Sequence, residues 1–184
     1  MAWKIFQRSL LTLSLLATSI PAPAQMKASE FDLKAAIIIN MVMFVEWPQR
    51  EAPPTDDTLT VCFLDNSPVA KALANAQGKS IRNKTISIRK ATLETVSGCH
   101  VVYVSPTERD QLQELTTRLQ SAPVLIAGDS PDYLRRGVML NLELSEGHII
   151  FDINQGSARK AGLQISSKAL RLARQVVEVN EPRS

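Results

Sequence analysis

The order of apolar and polar positions divides the chain into a helical opening, a series of short strands and a helical close. Ser29 is placed to cap a helix over "EFDLKAAIIINMVMFVEWP", with Glu30 and Asp32 in the first turn, where the helix dipole favours acids. Pro48 ends it. Between Ala35 and Val45 only Asn40 is polar, so this helix is apolar nearly all round. It is too short to cross a bilayer, and the pattern predicts burial on several sides, in the core or in a dimer interface.

Past the polar loop "REAPPTDD", apolar runs alternate with helical patterns. "LTVCFLD" (Leu59–Asp65) reads as a strand, and "SPVAKALANAQ" as a helix with Ser67 as its cap and Pro68 at its first position. "KTISIRK" alternates strictly and predicts a half-exposed strand, while "HVVYVS" and "PVLIAGDS" read as buried strands around a helix in "TERDQLQELTTRLQ". "GVMLNLEL" and "HIIFDIN" flank the short turn "SEG" and predict an antiparallel hairpin. Asn154 then caps a short helix, Gly162 stops it, and "SSKALRLARQVVE" predicts a closing helix. At about 100° per residue, Ile165, Ala169, Leu172, Ala173 and Val176 fall on one face of that helix, towards the sheet, and Lys168, Arg171 and Arg174 on the other. Short strands separated by helices predict a single α/β domain with a mostly parallel central sheet flanked by helices.

Composition changes the picture at the N-terminus. Lys4 and Arg8 precede an apolar stretch from Ser9 to Ile20, and Ala22-Pro23-Ala24 supplies a small-x-small cleavage pattern. Residues 1–24 therefore read as a signal peptide cleaved before Gln25, with residues 25–184 as one exported, periplasmic domain. Its apolar core is shorter than the roughly 20 residues a membrane span needs. The formal net charge of +3 includes Lys4 and Arg8, so removing the leader leaves about +1. Binding to a polyanion across the whole surface loses its support, and nucleic acid is absent from that compartment. Cys62 and Cys99 stand at strand ends, and an even pair in an oxidising compartment reads as a disulfide closing about 40 residues. A metal site is the weaker alternative, because no His or acid stands at ligand spacing around both cysteines.

Candidate chemistry is sparse. "GKS" at Gly78–Ser80 resembles the end of a phosphate-binding loop, but Leu73 stands where that motif needs its first glycine. His100 and His148 are the only histidines, and neither forms a nucleophile–base–orienter trio on paper. Neighbours along a strand face opposite ways, which argues against a Cys99–His100 dyad. No catalytic residue, metal site or cofactor is expected. Asp65 and Asp129 end predicted parallel strands, where α/β proteins bind ligands, so a small-molecule sensor module is the alternative reading.

Several segments together resemble the YfiR family of periplasmic regulators. They are "FVEWP" (Phe44–Pro48), "VCFLDNSP" (Val61–Pro68), "CHVVYVS" (Cys99–Ser105), "PVLIAGDS" (Pro123–Ser130), "RRGVMLNL" (Arg136–Leu142) and, most specific, "AGLQISSKALRLAR" (Ala161–Arg174). They occur in family order along nearly the whole exported chain. Leu64, Arg136 and Gly156-Ser157 depart from the family's pattern, and a second cysteine pair found in some members is missing. The resemblance implies a homodimeric, non-enzymatic protein that binds the periplasmic part of an inner-membrane diguanylate cyclase and holds it inactive. Cyclic-di-GMP signalling and biofilm formation fall as a result. It also implies an outer-membrane lipoprotein of the peptidoglycan-associated type that relieves the inhibition. Glu46 and Trp47, with the basic Lys168, Arg171 and Arg174, are the residues expected to meet a partner.

Overall fold

In a computed structural model, residues 29–48 and 57–178 are described; the expected signal peptide with its expected cleavage site and most of the "REAPPTDD" loop lie outside them. Helix α1 (Glu30–Met41) passes through one 3-10 turn into β1 (Val45–Glu46). Strand β2 (Thr58–Phe63), helix α2 (Pro68–Leu73), β3 (Ser80–Ile81), β4 (Lys84–Lys90) and β5 (Val101–Val104) follow. Helix α3 (Leu112–Leu119), β6 (Leu125–Gly128), β7 (Leu140–Ser145) and β8 (His148–Asn154) come next. The described chain closes with α4 (Gln155–Lys160), β9 (Gln164–Ile165), α5 (Ser167–Leu172) and β10 (Gln175–Val177).

The main sheet has the order β10-β8-β7-β6-β5-β2-β4-β3. Strands β4, β2, β5, β6 and β7 run parallel, as the alternation of strands and helices predicts. Every residue of β5 and of β6 is buried, which explains their unbroken apolar runs: a parallel sheet is covered on both faces. The chain leaves β2 through α2 in one direction and β5 through α3 in the other. With right-handed crossovers these helices lie on opposite faces of the sheet, and α1 packs beside α2. The predicted hairpin is present: β7 and β8 pair antiparallel around Glu146 and Gly147, both with left-handed backbone (φ 49° and 80°).

Capping follows the sequence closely. The Ser29 hydroxyl accepts the Asp32 N–H, the Ser67 hydroxyl accepts the Ala70 N–H, and the Asn154 side-chain Oδ1 accepts the Ser157 N–H. Gly162 ends the α4 segment at φ +76°, a conformation that disfavours any side chain.

Two expectations need correction. The first helix does not run to Pro48, because Val45 and Glu46 turn into an extended segment that pairs with β9. The closing helix is shorter than its periodicity predicts: α5 stops at Leu172, and Gln175–Val177 joins β8 as a parallel strand. Leu172, expected against the sheet, is 68% exposed, and Val176 is also exposed. Only Ala169 of that face is buried, with Ile165 and Ala173 partly so. "RQVVE" is rich in β-branched residues that suit an extended edge at least as well as a helix, and β8 offers unpaired backbone groups to complete.

Candidate functional site

Two of the family-like motifs, "FVEWP" and "AGLQISSKALRLAR", meet in space. Val45 pairs with Ile165 and Glu46 with Gln164, forming a small antiparallel sheet separate from the main one. The Ser166 N–H donates to the Phe44 carbonyl at 2.8 Å, extending the pairing. Trp47 sets its ring edge-to-face against His100, with centroids 6.0 Å apart, and so ties this corner to the start of β5. Glu46 and Pro48 are exposed, and α5 begins two residues after β9 with Lys168 and Arg171 in solvent. Among the described residues neither Lys168 nor Arg171 forms an ion pair. The β1–β9 pairing thus places Glu46 and Trp47 beside the strand that leads into α5, which carries Lys168 and Arg171 in solvent.

Arg174 is different. Its guanidinium donates to both oxygens of buried Asp152, through Nε at 2.9 Å and Nη2, and Nη2 also donates to Glu143 at 2.7 Å. Those contacts join the lead-in to β10 to β8 and β7. A fork-shaped cation reading one carboxylate with two N–H groups fixes geometry as well as charge, so Arg174 holds the edge of the sheet.

The carboxyl ends of the strands form a second polar cluster. The chain reverses direction across the sheet between β2 and β5, the switch point at which open α/β sheets bind ligands. Here that crevice is tied off from within. Asp65 accepts from the Ser105 and Thr107 hydroxyls, each at 2.6 Å, and from the Ser67 N–H at 3.1 Å. Burial alone would raise the Asp65 carboxyl, but these hydrogen bonds outweigh it and hold it below its ordinary value. Beside it, Asp129 accepts from Tyr103 Oη and from Lys34 Nζ, both at 2.8 Å, and Lys34 also reaches Glu30 at 2.6 Å. Tyr133 passes under this cluster and donates to the Ser105 carbonyl at 2.7 Å. Gly128 makes room for it, since a Cβ there would lie 2.6 Å from the Tyr133 ring.

Glu108 completes the cluster. It returns to accept the Ser105 N–H in a capping box. Burial, with the charge of Asp65, pushes its carboxyl up to about 7 against the opposing hydrogen bonds from Ser105. A carboxyl raised in the folded state contributes stability below its unfolded value, about 4.3, and loses it as pH rises through about 7. Melting temperature should therefore fall between pH 5 and pH 8 by an amount reflecting a few kcal/mol at most. Glu108→Gln keeps an acceptor for the Ser105 N–H and should flatten that part of the profile. Thermal denaturation of both proteins across the range is the check, and parallel profiles would exclude Glu108 as the titrating group.

The remaining candidates have local tasks. His100 Nδ1 accepts the Thr60 N–H at 3.1 Å, and His148 Nδ1 lies 3.0 Å from the Glu146 carbonyl in the hairpin turn. Cys62 and Cys99 form a disulfide with both residues fully buried. Among the described residues no group of His, Cys, Asp and Glu is placed to hold a metal ion, and no helix is long and apolar enough to cross a membrane. The sequence reading missed Lys34, the ammonium that fixes Asp129. One lysine four residues after Glu30, at the start of an otherwise apolar helix, was the signal available.

Strand order, crossovers and the tied-off switch point define a doubly wound α/β domain of the flavodoxin type, carrying an extra two-stranded corner. The chain belongs to the YfiR/HmsC-like family, whose sequence profile matches residues 31–174. Solved structures share the fold. A conserved domain protein from Vibrio cholerae O1 biovar El Tor superposes with a TM-score of 0.55 at 14% identity. The ABC domain in complex with L-Trp from Streptococcus pneumoniae gives 0.50 at 12% identity. Each match covers 80% of this chain, and the chain spans 60% of the length of each of those proteins. At these identities the likeness is one of fold.

Proposed function

We propose that this chain is a periplasmic negative regulator that binds the periplasmic part of an inner-membrane diguanylate cyclase and holds it inactive, lowering cyclic-di-GMP and biofilm formation. The family match over residues 31–174 carries the reading, and the pairing of "FVEWP" with "AGLQISS" through β1 and β9 supports a place for it. The partner meets Glu46, Trp47, Lys168 and Arg171, exposed or half-buried side chains on a corner braced by backbone pairing and by Trp47 on His100. The protein acts as a homodimer, and an outer-membrane lipoprotein of the peptidoglycan-associated type withdraws it from the cyclase. The apolar residues left in solvent on α1, Phe31 and Leu33, are consistent with a second copy or a partner covering that helix.

In a strain retaining the cyclase, deleting the gene should raise cellular cyclic-di-GMP and biofilm. Unchanged levels would sink the reading. Complementation with Lys168→Glu/Arg171→Glu should fail to restore repression while stability stays within about 0.5 kcal/mol of wild type, as for other exposed sites. Arg174→Glu should also fail, but with a lowered melting temperature, because it places a like charge against Asp152. Full repression by the Lys168/Arg171 variant would remove that face from the interface.

A further inference from the structure

On the face of the sheet that carries α3, a cavity of about 300 Å³ opens between α3, the turn at Gly137 and α4. We propose that it is a binding site for a small organic anion, one carboxylate or phosphate group on a compact apolar body. Arg136 and Lys160 stand in its wall, and no Asp or Glu lines it. Lys160 makes no ion pair among the described residues, and the one bond of the Arg136 guanidinium, at 3.0 Å, goes to a neutral acceptor, the Arg109 carbonyl. Two cations facing one cavity without a counter-charge give it a positive potential that an anion relieves. The carboxamides of Gln113 and Gln120 add donors that can turn towards a bound oxygen.

The floor selects the rest of the ligand. Ile126 of β6 and Met139 just before β7 are almost completely buried and form the apolar base. Cavities of this size, apolar below with a few polar groups converging above, suit molecules of amino-acid or aromatic-acid dimensions. The backbone keeps the space open: Gly137 has φ +95°, and a Cβ there would lie 3.3 Å from Thr116, so the turn abuts α3 without filling the gap. The site is separate from the switch-point cluster, whose carboxylates Asp65 and Asp129 are bonded within the chain. It does not depend on the regulatory role, because binding needs only the purified protein.

The test is a titration of the ¹⁵N-labelled chain from Gln25 onward with phenyl phosphate and, separately, with benzoate, using benzylamine as the cationic control. Saturable amide shifts centred on Thr117, Gly137 and Ser157 with at least one anion, and none with benzylamine, are expected. The more effective anion identifies the head group. Lys160→Gln alone changes an exposed, unpaired side chain and should weaken binding a few-fold. Arg136→Gln/Lys160→Gln should weaken it about tenfold, as for two partly screened charge contacts. No saturable shift with either anion overturns the proposal. Equal shifts with benzylamine, or undiminished affinity in the double variant with spectral dispersion intact, does so as well.

Discussion

A chain without the Cys62–Cys99 bridge, as Cys62→Ala/Cys99→Ala, is expected to be about 4 kcal/mol less stable than wild type. The bridge spans 37 residues that contain α2, β3 and β4, one whole flank of the sheet. In the unfolded chain that loop is constrained only by the disulfide, so removing it returns the closure entropy to the denatured state. Against a typical domain stability of about 5–15 kcal/mol, the loss is a large fraction. Urea denaturation should show a lower midpoint and a slightly steeper slope, because the freed denatured chain exposes more surface. Both cysteines are fully buried, and the Arg89 guanidinium lies 3.9 Å from Cys99 Sγ. A reductant should therefore act slowly on the native protein and quickly once urea opens it. A loss below about 1 kcal/mol would mean that contacts in the denatured chain already hold this flank together.

The reach of the sequence is clearest where local chemistry and tertiary packing agree. Ser29, Ser67 and Asn154 sit where a capping side chain is needed, and each forms the expected bond. The strands that were legible had either enough apolar length to show their burial, β2 and β5 to β8, or a strict alternation, β4. The short ones escaped. Strands β1, β3 and β9 are two residues each, below any detectable alternation. The β3–β4 turn places both Arg82 and Asn83 in left-handed backbone, and only Asn83 is a residue that favours it. At the C-terminus, helical spacing and extended propensity coexist in "ALRLARQVVE", and the open edge of β8 decides between them.

The corner proposed to meet a partner was legible in part and for a chemical reason. Glu46, Trp47, Lys168 and Arg171 stood out as charged or aromatic residues in distinctive motifs, but only the β1–β9 pairing shows that Glu46 lies beside the strand leading into α5. Arg174 looked the same as Arg171 by angle, yet it is committed to Asp152 and Glu143 from other strands. Such long-range pairing leaves no trace in local periodicity. The anion cavity was invisible for the same reason, since Gln113, Arg136 and Lys160 come from three separate elements.

The most consequential residue that the sequence hid is Lys34, and Lys34→Met is expected to cost about 3 kcal/mol. Its side chain is 7% exposed, as is that of Asp129, so the substitution leaves a buried carboxylate with Tyr103 Oη as its remaining side-chain donor. Removing one partner of a buried pair typically costs about 3–5 kcal/mol, and the surviving tyrosine bond puts this case at the lower end. Adding Asp129→Asn to Lys34→Met removes the stranded charge and keeps an acceptor for Tyr103. The double variant should therefore regain about 2 kcal/mol relative to Lys34→Met alone. Additive losses in the double-mutant cycle would show that the pair is not coupled. The wild-type profile adds a second check. Burial would lower the Lys34 ammonium, but its bonds to Asp129 and Glu30 outweigh that and raise it. Its contribution is thus complete below an ordinary lysine value, about 10.4, and is lost only as pH rises through the higher folded value. Lys34→Met should abolish that alkaline step. Because α1 runs on through a single 3-10 turn into β1, loosening its first turns also frees the strand that presents Glu46 and Trp47. Lys34→Met should therefore speed hydrogen exchange along α1 and weaken the proposed repression, although Lys34 itself sits at the opposite end of that helix.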